Sequence, residues 1–139
     1  MGEINTTVNE HAMATATSLI DGLLYLSESE SNFDAFELCD IASETDLKAA
    51  LLKEKSLEET EVKTGDAVDF FVKLIQMADP NDEFMMEQKS KFEVLQTFLK
   101  DNFKDIQLYR AGKIQVHIFI TATNGDGNYL ILHTLSVET

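Results

Sequence analysis

In the C-terminal third of this chain the hydrophobic period changes from that of a helix to that of a strand, which limits the folds open to it. Ile114, Val116, Ile118 and Ile120 alternate with Gln115, His117, Phe119 and Thr121. Ile106 to Arg110 precedes them across a hairpin-like turn, Ala111-Gly112-Lys113. Asn124-Gly125-Asp126-Gly127 follows, a strong hairpin signal because asparagine and glycine tolerate positive φ. A last strand from Asn128 to about Val137 completes an antiparallel meander of at least three strands. A meander of this kind must bury one face, and the earlier segments supply the helices to cover it. The expectation is an α+β domain.

Those helices are legible in outline. Val8, Ala12, Ala16, Leu19, Ile20 and Leu23 recur at helical spacing, with Gly22 near the end of a helix running to about Leu24. Tyr25-Leu26 leads into an acidic loop, Ser27 to Asn32, and Phe33 to Ile41 reads as a strand. Asp46 to Leu52 reads as a short helix, with Ser43 and Asp46 as an acidic variant of the capping box. Ser56 to Thr64 is charged enough for a loop with at most a short strand. A second clear helix starts at Asp66 and runs through Val68, Phe71, Val72 and Ile75. The longest helix follows, with Pro80 expected in its first turn and a stripe of Phe84, Gln88, Phe92, Leu95, Leu99 and Phe103. Gln88 interrupts that stripe by one turn. With 139 residues and neither a repeat nor a Pro/Gly-rich linker, the whole chain, 1–139, is expected to form one domain.

Charge narrows the partners. Eleven Lys and Arg against 25 Asp and Glu leave a net charge of −14. That field opposes direct contact with nucleic acid or an anionic membrane and favours basic proteins. The single cysteine, Cys39, cannot form an internal disulfide, and no secretory signal or membrane-length apolar run is visible. The expected setting is cytoplasmic.

Chemistry of its own finds little footing in the residues, and the expectation is a non-enzyme without a cofactor. The turn at 124–128 has oxygen ligands where a calcium loop needs them. Tyr129 and Leu135, however, stand where that loop needs glycine and glutamate. His117 and His133 lie on neighbouring strands, and a one-residue choice of register decides whether they share a face. No zinc-like spacing, nucleophile elbow or phosphate-cradling loop is present. Two features remain: the acidic loop holding Glu28 and Glu30, and a strand running almost to the terminal Glu138-Thr139. That tip offers a carboxylate side chain, a hydroxyl and an α-carboxylate in a small volume. The plain alternatives are a solvated connection and a frayed end.

Leu19-Ile20-Asp21-Gly22-Leu23-Leu24-Tyr25-Leu26-Ser27-Glu28-Ser29-Glu30 resembles the segment after the first helix in the nuclease A inhibitor family. Phe33 to Phe36, the Phe70-Phe71 pair, Lys91-Phe92, Gln107-x-Tyr109-Arg110-x-Gly112 and the terminal Val137-Glu138-Thr139 match in the same order. The resemblance implies a pathogenesis-related-1-like fold, an α/β/α sandwich around a central antiparallel sheet. It also implies inhibition of a Mg-dependent, sugar-nonspecific DNA/RNA endonuclease in a one-to-one complex. Carried over residue by residue, Glu28 engages the nuclease's basic groups and Thr139 reaches its metal, with Glu30 and Glu138 beside them and Thr134 near the same edge. The inhibitor needs no metal or cofactor of its own. The family has an interface tryptophan at the start of the long helix; this chain has none, and Phe84 or a neighbour stands there. The stretch from Asp40 to Thr64 departs from the family pattern. The alternative is a non-inhibitory binding module for another basic protein or a small ligand.

Overall fold

The alternating strands of the C-terminal third become the middle of a sheet, and earlier segments complete it on both edges. The computed structural model describes residues 10–58 and 61–138. In chain order the elements are α1 (Glu10–Ile20), β1 (Leu24–Leu26), β2 (Glu30–Asn32), β3 (Asp34–Leu38) and α2 (Glu44–Glu54). There follow β4 (Val62–Gly65), α3 (Ala67–Gln76), α4 (Glu83–Asn102), β5 (Asp105–Ala111), β6 (Gln115–Thr123) and β7 (Tyr129–Val137). The main sheet is antiparallel throughout in the order β3-β7-β6-β5-β4, while β1 and β2 pair separately as a hairpin.

Both faces of the sheet are covered, so the alternation sorts side chains between two cores rather than between core and water. Val116, Ile118, Ile120, Ala122, Leu130 and Leu132 pack with α1, α3 and α4. The opposite phase, Tyr109, Ala111, Phe119 and Ile131, packs under Leu47 and Leu51 of α2. The α+β expectation holds, with helices on either side of the sheet. Phe119 and Thr121 are at most 1% exposed, because α2 closes the face that alternation alone would leave to solvent.

Several boundaries differ from expectation for local reasons. α1 stops at Ile20, since Gly22 adopts φ +78° and Leu23 donates its N–H to the Ile20 carbonyl. The strand expected to reach Ile41 stops at Leu38, and Asp40 takes a left-handed φ of 59°. Pro80 lies in the turn before α4, and Asp82 is the cap, its Oδ1 accepting from the Met85 N–H at 3.1 Å. Ser43 and Asp66 cap α2 and α3 in the same way, at 3.2 and 3.1 Å. The expected short strand in the charged stretch is β4. Gln88, the polar break in the α4 stripe, is 7% exposed and hydrogen-bonded at both ends of its amide. Its Nε2 donates to the Gly22 carbonyl at 3.0 Å and its Oε1 accepts from the Leu24 N–H at 2.9 Å. A leucine there would leave both backbone groups without their partner. No helix among the described residues is long and apolar enough to cross a membrane.

Candidate functional site

Gln88 fixes where the chain leaves α1, and what leaves is the acidic segment. It is a hairpin rather than a loop, with Leu24 opposite Asn32, Tyr25 opposite Ser31 and Leu26 opposite Glu30. Ser27 closes the turn, its N–H donating to the Ser29 carbonyl at 2.9 Å. Glu28 and Glu30 are both exposed, Glu28 at the tip.

The hairpin is fastened to the last strand. β3 covers β7 only from Tyr129 to His133, so the remainder of that edge needs other partners. Serine hydroxyls supply them: Ser31 Oγ accepts from the Leu135 N–H at 3.2 Å, and Ser27 Oγ from the Val137 N–H at 3.0 Å. The Glu28 N–H donates to the Val137 carbonyl at 3.4 Å. Thr134 is 1% exposed, and its hydroxyl donates to the Asn32 carbonyl at 3.0 Å, so it stands behind the hairpin and supports it. In the Ser-Glu-Ser-Glu-Ser run, Ser27 and Ser31 hold the structure while Glu28 and Glu30 remain at the surface.

The terminus is held from its other side. The Glu138 N–H donates to the Ile114 carbonyl at 2.8 Å, and its carboxylate takes an ion pair from Arg110 and a hydrogen bond from Ser136 Oγ at 2.8 Å. The Ser136 bond lowers the Glu138 carboxyl most; burial opposes it, but with the Arg110 bond and charge added the carboxyl is held below the usual range. Arg110, Ser27, Ser31 and Ser136 are the contributors that sequence reasoning missed. Arg110 and Gly112 sit in a matched motif, and the serines alternate with the glutamates, but neither pattern names a partner strand. Thr139 lies outside the described residues. Among the expected site residues, Glu28, Glu30, Thr134 and Glu138 therefore gather at one corner, where the hairpin meets the end of β7.

The histidine register question resolves to a shared face. His117 Nδ1 and His133 Nε2 are 2.8 Å apart, and His133 Nδ1 is 2.7 Å from Asp34 Oδ1, whose other oxygen accepts from Lys55 Nζ at 2.7 Å. An ionised carboxylate only accepts, so His133 donates from Nδ1 and, when both rings are neutral, accepts at Nε2 from His117. Burial raises the Asp34 carboxyl, but the His133 and Lys55 hydrogen bonds and charges bring it below its ordinary value. Burial, then the His133 charge, lowers His117. The two rings spend their facing nitrogens on each other, and no group of three or more metal-ligating side chains occurs among the described residues. Cys39 is no nucleophile in waiting: burial and the nearby Glu37, Asp40 and Asp126 charges push its thiol up.

The hairpin, its serine fastening and the terminal strand coincide with the segments that carried the family resemblance. A search of curated proteins finds no match to the chain. A profile of the nuclease A inhibitor-like proteins matches residues 10–139, all but the first nine positions, from α1 through the acidic hairpin to the terminus. The chain belongs to the nuclease A inhibitor-like protein family.

Proposed function

We propose that this protein inhibits a Mg-dependent, sugar-nonspecific DNA/RNA endonuclease by plugging its active site in a one-to-one complex. Glu28 at the hairpin tip meets the nuclease's basic groups, with Glu30 beside it, and Thr139 reaches the nuclease's metal. One observation carries the reading: Ser27 joins the hairpin tip to Val137 at 3.0 Å, which brings Glu28 and the end of the last strand to one corner. A plug must bring both to a single active site, and a shared anchor presents them together with little ordering cost on binding.

The electrostatics agree. A nonspecific nuclease offers cationic groups and a hydrated metal to a phosphodiester, whatever its bases. A chain of charge −14 is drawn to that surface, and is repelled by the nucleic acid that competes for it. Carboxylate and hydroxyl oxygens are suitable Mg²⁺ ligands, at about 2.1 Å. Phe84, 45% exposed in the first turn of α4, offers apolar contact area where the family carries a tryptophan. Glu138, held by Arg110 and Ser136, lies at the rim of the contact. Thr134 contributes from behind, through Asn32. In this role the chain carries out no chemical step and needs no cofactor, and its setting is the cytoplasm.

Plasmid degradation by a nonspecific nuclease with Mg²⁺ tests it, with the chain added in increasing ratio. Inhibition complete near equimolar ratio is expected. Glu28→Gln should cost about 2–5 kcal/mol of affinity, the loss for one partner of a desolvated charge pair, against under about 1 for Glu30→Gln. Deleting Thr139 should weaken inhibition with an unchanged melting temperature. Degradation unaffected by excess protein overturns the function; equal losses at Glu28 and Glu30 reduce it to bulk charge.

A further inference from the structure

At the opposite end of β7 from the acidic hairpin, beneath the first turn of α2, a cavity of about 350 Å³ opens beside the 124–128 turn. β7 is nine residues long, so at about 3.4 Å per residue the two ends lie roughly 27 Å apart. Glu44, Asp105, Gln107, Tyr109, Thr121 and Tyr129 carry its polar lining. Register explains the grouping: Gln107 pairs with Thr121, and Thr123, two residues on, pairs with both Asp105 and Tyr129. Glu44 descends from α2, and the Tyr109 hydroxyl donates to its Oε2 at 3.0 Å.

Two observations point to an occupant. The Thr121 hydroxyl is buried in the lining, the residue being 1% exposed, and it has no hydrogen-bond partner among the described residues. A buried hydroxyl left unpaired is costly and uncommon in native proteins. The second is a mismatch of donors and acceptors. The Gln107 amide already donates to Asp105 at 2.9 Å and the Tyr109 hydroxyl to Glu44, while the carboxylates keep lone pairs in excess. Among the described residues no lysine or arginine lines the cavity. Lys48 approaches Glu44 from the helix surface, at 3.8 Å. Burial together with the Glu44 and Asp105 charges pushes both tyrosine hydroxyls up.

We propose that this cavity binds a small organic cation bearing N–H donors, a primary amine or a guanidine, between Glu44 and Asp105 with one N–H donated to the Thr121 hydroxyl. The volume falls within the range of small-ligand pockets, roughly 300–1,000 Å³. The tyrosine rings supply apolar and π surface for the cation and its alkyl chain. Ligands without N–H donors meet the charge but leave Thr121 unpaired. The site is separate from the hairpin corner, so it stands whether or not the inhibitor reading does.

Agmatine and butane-1,4-diamine are the probes, titrated into the ¹⁵N-labelled chain at about 0.15 M salt, where surface charge is screened beyond roughly 8 Å. Tetramethylammonium and butane-1,4-diol are the comparators. Saturable shifts confined to Thr121, Gln107, Gly125 and Tyr129 are expected. Thr121→Val should weaken binding about tenfold, as for one hydrogen bond to a charged group, while raising or holding the melting temperature because the unpaired hydroxyl is gone. Thr121→Ser should retain binding and Glu44→Gln should weaken it, both with nuclease inhibition as in the parent. Glu44→Gln decides the matter if Thr121→Val does not fold. Shifts spread over the acidic surface without saturation, tetramethylammonium binding as well as agmatine, or unchanged binding by Thr121→Val or Glu44→Gln would overturn the site. So would binding of a lysine-rich protein but of neither free amine.

Discussion

Ser27→Ala tests whether the serines of the acidic segment hold the plug in place. The hydroxyl accepts from the Val137 N–H at 3.0 Å, and makes two longer contacts within the turn, to Ser29 O at 3.3 Å and from Ser29 N at 3.4 Å. The long contacts contribute little, so the loss is one net hydrogen bond, about 1 kcal/mol and in the lower half of the usual span because water reaches the site. One kcal/mol corresponds to about a fivefold change in the equilibrium between docked and undocked hairpin. Hydrogen exchange reads it directly: the Val137 amide should lose about fivefold in protection, while amides in the centre of β6 keep theirs. Ser31→Ala should do the same at Leu135, whose N–H its hydroxyl accepts at 3.2 Å. The double variant should come near the product of the two, unless the hairpin detaches altogether. Affinity for the nuclease should fall by no more than the docked population falls, since binding draws on the docked state. A double-mutant cycle with Glu28→Gln completes the test. If Ser27 acts by positioning Glu28, Ser27→Ala should cost little once Glu28 is neutral. Full additivity of the two changes, or unchanged Val137 protection, would refute the reasoning.

Gln88→Leu fills the same space but leaves the Gly22 carbonyl and the Leu24 N–H without partners, so it should destabilise by about 1–3 kcal/mol in urea unfolding, despite improving the apolar stripe of α4. The histidine pair makes stability sensitive to mild acid. His117 is depressed below 6.5 in the fold, so the unfolded chain takes up its proton first. Its contribution is fully present above about pH 6.5 and is lost as pH falls through the lowered folded value. Asp34, lowered as well, keeps its contribution until more acid conditions, because it is lost only as pH falls through the carboxylate range below 3.8. His117→Phe should therefore flatten the slope of stability between about pH 7 and 5 and leave the more acid limb in place; urea midpoints across that range measure it.

Much of the architecture follows from short-range physics. The alternation from Ile114 to Thr121 and the Asn124–Gly127 turn specify a meander because side-chain period and positive-φ tolerance are local properties. The caps at Ser43 and Asp66 are local too, and both helices begin there. The acidic segment and the chain terminus were recognisable as a pair only through family resemblance, since 110 positions separate Ser27 from Val137. What joins them is a hydrogen bond between a side chain and another strand's backbone, which leaves no periodic trace in either segment. The same is true of Gln88, which reads as a flaw in an apolar stripe until the exit of α1 is seen against it, and of Arg110 with Glu138. His117 and His133 depended on register, and only the pairing of Phe119 with His133 and of His117 with Leu135 put both rings on one face. Thr121 is the clearest case. Alternation assigns it to a polar face, and a sheet covered on one side would leave it in water. Whether it is wet depends on α2 crossing that face, a contact between segments far apart in the chain. Local patterns choose the elements and their inward faces; which faces meet, and which polar groups are buried where they meet, is a property of the assembled fold.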